Sequence, residues 1–204
     1  MSNLAIYVMD HELSRDYTTS LIKGLTATVY DSSKFGTRFT ESFNRCLIDN
    51  PRADYVMVCN NDIRLTDSQV EQAMRYIDGR DGIFHIACNS PHIKVMTAQG
   101  SEPLREVPWV EFVAPIISRK VIDAIGGLDS DMSYGWGVEL DYCYRAKKAG
   151  YSSFLAQRVD MWHYGHKSQE SHQKYIQEAS PEMHRVLEKK YGTDWKNKLS
   201  YPQW

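Results

Sequence analysis

Tyr55-Val56-Met57-Val58-Cys59-Asn60-Asn61-Asp62 is the stretch that decides the fold. Mostly apolar, β-favouring residues run without a break into two amides and a carboxylate. That is the pattern of a buried strand delivering polar side chains to its C-terminal end. In open parallel sheets ligands bind just outside the carboxyl ends of the strands, and an Asp emerging there can hold a hard divalent cation through oxygen. Asp62 is therefore a candidate metal anchor. Alternatively, Asn60 and Asn61 only shape a turn and Asp62 is solvated.

Upstream, Leu4 to Met9 reads as a strand ending on Asp10, and a helical segment from about Ser14 to Lys23 stops at Gly24. Ala27-Thr28-Val29-Tyr30 is a second strand, ending on Asp31-Ser32-Ser33. From Thr37, Phe39, Phe43, Cys46 and Leu47 recur at helical spacing until Asn50-Pro51 stops them. Three successive strands thus deliver Asp10, Asp31 and Asp62 at the same end of a β-α-β-α-β pattern, which points to a shared cleft.

Downstream, Thr66 and Gln69 stand at capping-box spacing before a helix carrying Val70, Met74 and Ile77, closed by Gly79. Ile83 to Cys88 is a further strand, in which His85 reads as a side chain facing polar neighbours rather than a ligand. The pattern dissolves from Asn89 to Glu106, as in a hairpin or a substrate-facing loop. Val107 to Ile117 regains strand character, and Pro108 and Pro115 mark it as an edge or irregular strand. A short helix from Arg119 to Ile125 ends at Gly126-Gly127.

The second dense cluster is Ser133-Tyr134-Gly135-Trp136-Gly137-Val138-Glu139-Leu140-Asp141, leading into a helix that runs to Ala149 and Gly150. Two glycines around Trp136 let backbone approach a ligand closely, with an indole to line an apolar wall. Glu139 and Asp141 fall in the first helical turn, where the helix dipole favours acids whether or not they are catalytic. Being two apart, they do not share a helical face, so one of them at most points into a cleft. After a short strand over Tyr151 to Ala156 comes Met161-Trp162-His163-Tyr164-Gly165-His166, where His163 is either a packed residue or part of a metal or phosphate site. In the tail, Pro181 after Ser180 reads as the first position of a helix that stops at Tyr191-Gly192. Its aromatics and lysines read as an arm packed over the sheet or as an acceptor platform.

A net charge of −2 argues against a strongly basic nucleic-acid footprint. No run approaches the roughly 20 apolar residues of a membrane span, and the start lacks a signal-peptide pattern, so a cytoplasmic protein is expected. Cys46, Cys59, Cys88 and Cys143 lie apart inside apolar patterns, as buried free thiols would. The expected fold class is α/β: a single Rossmann-like domain over residues 1–168, a mostly parallel central sheet flanked by helices, and a helical tail over 169–204 packed on the same domain.

These stretches together resemble the nucleotide-sugar glycosyltransferases of the GT-A fold, close to family 2. Val29-Tyr30-Asp31-Ser32-Ser33 resembles that family's uridine-contacting turn, and Val58-Cys59-Asn60-Asn61-Asp62 the Asn-Asn-Asp variant of its D-x-D metal motif. Phe43-Asn44-Arg45-Cys46 resembles the helix between them, with Cys46 in place of the usual Gly. Ile125-Gly126-Gly127-Leu128-Asp129, then Gly135 to Arg145, then Ala149-Gly150-Tyr151 resemble the "GGFD... ED... R... AGY" signature, and His163 with Gly165 and Ser168 the segment that supplies a late metal ligand.

The resemblance implies Asp62 and His163 as ligands for Mn²⁺ or Mg²⁺, and Asp10, Asp31, Ser33, Asn44 and Asn61 as nucleotide contacts, with a UDP-sugar as donor. It also implies Trp136 and Gly137 against sugar or acceptor, and Glu139 as general base with Asp141 competing for that role. The acceptor implied is a glycan, a protein or a hydroxylated base in DNA, and the transfer is inverting. A nucleotidyltransferase and a non-catalytic nucleotide-sugar binding module are the alternatives. The loop from Asp10 to Asp16 departs from the family in lacking its Pro and Asn, and the Glu-Asp pair is shortened by one residue. The chain is also shorter than most relatives, so its acceptor region is expected from the 89–106 loop and the tail.

Overall fold

The structure, a computed structural model, describes residues 2–10, 15–31, 38–88, 94–165 and 169–201. Strands β1 (Leu4–Asp10), β2 (Thr28–Asp31) and β3 (Tyr55–Asn60) pair in parallel, with Asp10 opposite Asp31 and Met9 opposite Asn60. The strand-end carboxylates Asp10 and Asp31 therefore share one edge with the Asn60-Asn61-Asp62 turn. Between these strands run α1 (Arg15–Leu21) and α2 (Phe39–Asp49), and α2 buries Phe43, Cys46 and Leu47 as its spacing predicts.

After β4 (Ile63–Arg64), α3 (Asp67–Ile77) opens with the capping box expected of Thr66 and Gln69. Then follow β5 (Ile83–Cys88), β6 (Leu104–Val107), β7 (Ile116–Ser118), α4 (Arg119–Ile125), α5 (Val138–Lys148), β8 (Ser153–His163), α6 (Gln169–Tyr191) and α7 (Trp195–Lys198). The sheet order is β2-β1-β3-β7-β5-β8-β4, with β6 paired to β8. Strands β1, β2, β3, β5 and β8 all run one way, so the mixed sheet is mostly parallel, and the seven α-helices among the described residues flank it. Among the described residues no helix is long and apolar enough to cross a membrane. All four cysteines are buried free thiols.

Three readings of the sequence are corrected. Residues 107–117 are not one strand: β6 ends at Val107, and β7 begins only at Ile116. Nor is β7 an edge, since it lies between β3 and β5. Pro115 is tolerated there because the ladder uses its carbonyl, which accepts from the Val58 N–H at 3.3 Å. The short strand of 151–156 extends to His163 as one strand of 11 residues, with a register shift opposite Ile86 and Ala87. Pro181 lies inside the 23-residue α6 rather than at its start. Burial of Met183, Val186 and Leu187 continues the helix past the residue whose missing N–H would otherwise end it.

Arg119 fastens α4 to the end of α2, donating to the carbonyls of Leu47, Asn50 and Ala53 at 3.1, 2.8 and 3.2 Å. A cation there also suits the negative end of α2. His85 is fully buried, and its polar partners are backbone groups: Nε2 accepts from the Ala114 N–H at 3.2 Å, and Nδ1 donates to the Ile86 carbonyl at 2.6 Å. Burial pushes its pKa down to about 4. Below pH about 6.5 the unfolded chain accepts a proton that the folded chain refuses until about pH 4, so His85 removes stability as pH falls through that window. Urea titrations should show the wild type losing about 3 kcal/mol more than His85→Gln between pH 7 and pH 4. Parallel losses in the two proteins would refute this.

Candidate functional site

The parallel strand ends converge on one polar cluster. Asp10 is buried; its Oδ1 accepts from Thr18 Oγ1 and, at 3.4 Å, from Asn61 Nδ2, which also reaches Thr18 Oγ1 at 2.9 Å. Asp10 and Asn61 thus fix the cleft floor through α1, while Asp31 ends the neighbouring strand half-buried. Ser33 lies outside the described residues.

Next to this floor the chain turns from β3 into β4, and β4 pairs antiparallel with β8, setting Ile63 opposite His163. The Asp62 carbonyl accepts from the Tyr164 N–H at 2.9 Å, and the Asp62 carboxylate meets His163 Nε2 at 3.3 Å. Burial alone would push the His163 pKa down, but the hydrogen bond and charge of Asp62, with the charge of Glu111, hold it above its ordinary value. A carboxylate oxygen and an imidazole nitrogen converging at this separation fit two neighbouring positions around one divalent ion. Among the described residues no third His, Cys, Asp or Glu completes a cage. That fits an ion whose remaining positions are filled by substrate oxygens and water, as is usual for phosphate-bound Mg²⁺ and Mn²⁺.

Glu139 stands in the first turn of α5, after Gly137 in the left-handed conformation. Burial drives its pKa up, the N–H groups of Glu139 and Gly137 oppose this, the charge of Glu111 adds to it, and the net value is about 7. An acid so placed is half ionised near neutrality, as a general base requires. Asp141 is placed differently. Fully buried, it accepts from Arg145 Nε at 2.8 Å, Lys190 Nζ at 2.5 Å and Tyr191 Oη at 2.6 Å. Lys190 also holds Asp129 at 2.7 Å, and Arg145 donates to the carbonyls of Ile125 and Gly127 at 2.7 and 2.8 Å. Asp141 therefore sits in an ion-pair network that ties α6 and the 125–129 turn to α5.

Asn44 is likewise engaged within the protein: its amide donates to the Leu128 carbonyl at 3.0 Å and accepts from the Leu128 N–H at 2.7 Å. A Cβ on Gly127 would come within 2.5 Å of Asn44 Oδ1, so this turn needs glycine. The close approach that Gly137 permits is to α6: a Cβ there would lie 2.6 Å from Met183, and its φ of +78° disfavours other residues. Helix α6 grips the same loop by further contacts. Glu182 accepts from Ser133 Oγ at 2.8 Å and the Tyr134 N–H at 3.0 Å, Tyr175 donates to the Tyr134 carbonyl, and Tyr175 packs 6.0 Å from the half-buried Trp136.

The sequence reading gives little sign of Glu111, whose carboxyl burial pushes above its ordinary range and whose charge acts on Asp62, His163 and Glu139. Its only signal was a lone acid inside the apolar run from Val107 to Ile117. It also missed Thr18, Glu182 and Lys190, none of which carries a sequence mark of its partners.

The whole architecture has solved counterparts. GalNAc-T7 with UDP, GalNAc and Mn²⁺ superposes at a TM-score of 0.63 with 7% identity, covering 98% of this chain and 55% of that one. The fold is that of the GT-A glycosyltransferases. A second GT-A structure, the mannosyltransferase PcManGT from Pyrobaculum calidifontis with GDP-Man and Mn²⁺, matches at a TM-score of 0.59 and 10% identity, over 98% of this chain and 73% of the other. No protein-family model matches the chain. In sequence, uncharacterized proteins Rv1525 of Mycobacterium tuberculosis and Mb1552 of Mycobacterium bovis are 38% identical over 93 residues, 43% of this chain. That match spans 36% of the length of either mycobacterial relative.

The two acids of the GT-A loop should separate on mutation. Asp141→Asn removes the buried counter-charge of Arg145 and leaves Lys190 with Asp129 alone, and should lower stability by about 3 kcal/mol in urea unfolding at pH 7. Glu139 has the opposite sign: its folded pKa is above the unfolded value, so it contributes stability at low pH that is lost as pH rises through about 7. Glu139→Gln should therefore gain on the wild type between pH 5 and pH 8, by up to about 3 kcal/mol. Equal losses in the two variants would contradict this division.

Proposed function

We propose that the chain is a metal-dependent glycosyltransferase moving a sugar from a nucleoside-diphosphate donor, most simply a UDP-sugar, to an acceptor hydroxyl. The observation that carries it is the pairing of Asp62 and His163 at the strand ends with an acid poised to titrate near neutrality, Glu139, linked to them electrostatically through Glu111. In this reading Asp10, Asp31 and Asn61 form the floor beneath the nucleoside, and Asp62 and His163 hold Mn²⁺. When bound, the ion neutralises charge on the departing diphosphate as a Lewis acid. Glu139 takes the proton of the acceptor hydroxyl while that oxygen bonds to the anomeric carbon and the carbon–phosphate oxygen bond breaks, releasing the nucleoside diphosphate. Attack opposite the leaving group inverts the anomeric centre. Positioned base catalysis of this kind contributes roughly 10² to 10⁴ fold.

Glu139 takes the base role rather than Asp141 because three donors already occupy the Asp141 oxygens. Trp136, half-buried beside Tyr175, offers a flat apolar face to sugar or acceptor. The acceptor itself, whether glycan, protein or hydroxylated base, is not distinguished by these groups.

Thermal unfolding with UDP, GDP, CDP or ATP, each with and without Mn²⁺, tests the site. A ligand at about 100 times its Kd adds about 2.7 kcal/mol to the folded state. UDP should stabilise the wild type only with Mn²⁺, and Asp62→Ala should abolish the metal-dependent part. Glu139→Gln should keep the shift yet release UDP from the donor at least about 100-fold more slowly. An ATP-selective shift would instead favour nucleotidyl transfer, and no shift with any nucleotide would overturn the assignment.

A further inference from the structure

We propose that Arg38 is a positioning residue for the transfer, holding the Ser133–Gly137 loop, and with it Trp136, against the nucleotide half of the fold; this rests on the glycosyltransferase assignment above. Arg38 is the residue that caps the start of α2, in the segment that follows Asp31. Its guanidinium reaches across to the loop: Nη1 donates to Ser133 Oγ at 2.5 Å, and Cζ lies 4.5 Å from the centre of the Tyr134 ring. The next two residues of the chain meet the same stretch. A Cβ on Gly135 would overlap the Phe39 ring, and the Thr40 hydroxyl donates to the Met132 carbonyl. The opening of α2 is thus seated along the chain from Met132 to Gly135.

What Arg38 adds is a bridge between two helices. Ser133 Oγ accepts from Arg38 and donates to Glu182 Oε1 at 2.8 Å, while Glu182 Oε2 accepts from the Tyr134 N–H at 3.0 Å. One hydroxyl therefore stands between a cation at the start of α2 and an anion on α6, and both of its hydrogen bonds are charge-assisted. Tyr134 is held by its ring face, its hydroxyl and its carbonyl, through Arg38, Glu178 and Tyr175. Because Arg38 is exposed, these contacts contribute little to global stability. Their effect is local. Without Arg38 the side chain of Ser133 has no cation on the α2 side, and Glu182 draws Ser133 and Tyr134 toward α6. Trp136 follows in the same loop, and the Gly137 carbonyl accepts from the Leu140 N–H at 3.2 Å to open the turn that carries Glu139. A displaced loop therefore moves the wall against which sugar and acceptor lie, and a misplacement of about 1 Å costs up to about 10²-fold in rate. Asp10 and Asn61 are held by each other and by Thr18, and Asp62 meets His163, so nucleotide and metal binding do not depend on this bridge.

Release of UDP from UDP-glucose, UDP-galactose and UDP-GlcNAc by the full chain in Mn²⁺, with water standing in for the acceptor, tests this. Calorimetric titration of UDP and urea unfolding are run on the same proteins. On the best of the three donors, Arg38→Met should lower kcat by about ten- to a hundredfold. The donor KM and the Kd for UDP should stay within about twofold, and the urea midpoint close to that of the wild type. Arg38→Lys keeps a charge and a donor but not the planar face, and should recover part of the loss. Ser133→Ala cuts the same bridge, so the double variant should be no slower than the slower single one. An unchanged kcat in Arg38→Met, with UDP binding intact, would overturn the role of Arg38 while the donor site stands. A fall in kcat matched by equal falls in UDP affinity and stability would make Arg38 structural, and losses that multiply in the double variant would show that it does not act through Ser133; either result refutes the proposal. If the wild type neither binds UDP nor releases it from any of the donors, the donor site and the role of Arg38 fall together.

Discussion

Asp62 meets His163 across 3.3 Å because two parts of the chain a hundred residues apart are pinned side by side by the short ladder of β4 on β8. That contact sets the electrostatics of the cleft. An acid at the mouth of a strand buried on both faces needs a counter-charge, and the imidazole supplies it until a cation does. The raised pKa of His163 reflects the same balance, with burial opposing and the two neighbouring acids prevailing. Around the pair the sheet places its other strand-end acids and amides, Asp10, Asp31 and Asn61.

A second network, on the far side of the candidate base, makes that arrangement rigid. Asp141 with Arg145, Lys190 and Tyr191 joins α5 to α6, and Asn44 clamps the Leu128 backbone. Glu182, Tyr175 and Met183 then hold the Ser133–Gly137 loop from above. The acids of the signature therefore divide by environment: one is neutralised by three donors and stabilises, the other is desolvated beside another carboxylate and is free to titrate. Two acids two residues apart on one helix come to differ because they face opposite sides of it.

Local chemistry made much of this legible in the sequence. The apolar run 55–59 ending in amides and an acid, the capping box of Thr66 and Gln69, and the alternation of strand and helical periods up to Cys88 all carry their structure within a few residues. Where the reading failed, the deciding partner was distant. Residues 107–117 looked like one strand because their apolar content satisfies burial from any direction, while only the carbonyls facing β3 determine where the ladder forms. Pro181 looked like a helix start because its missing N–H is a local property, whereas the burial that carries α6 past it is not.

By itself, then, the sequence determined the α/β class, the order of the strands that deliver Asp10, Asp31 and Asp62, and the stretches from which a site would be drawn. These depend on side-chain period and turn chemistry, which act over a few residues. The tertiary structure alone decided which acids are neutralised and which are not, and that Asn44 and Gly137 serve packing against Leu128 and Met183. Charge, desolvation and hydrogen-bond satisfaction depend on neighbours brought together across the fold, and spacing along the chain does not encode them.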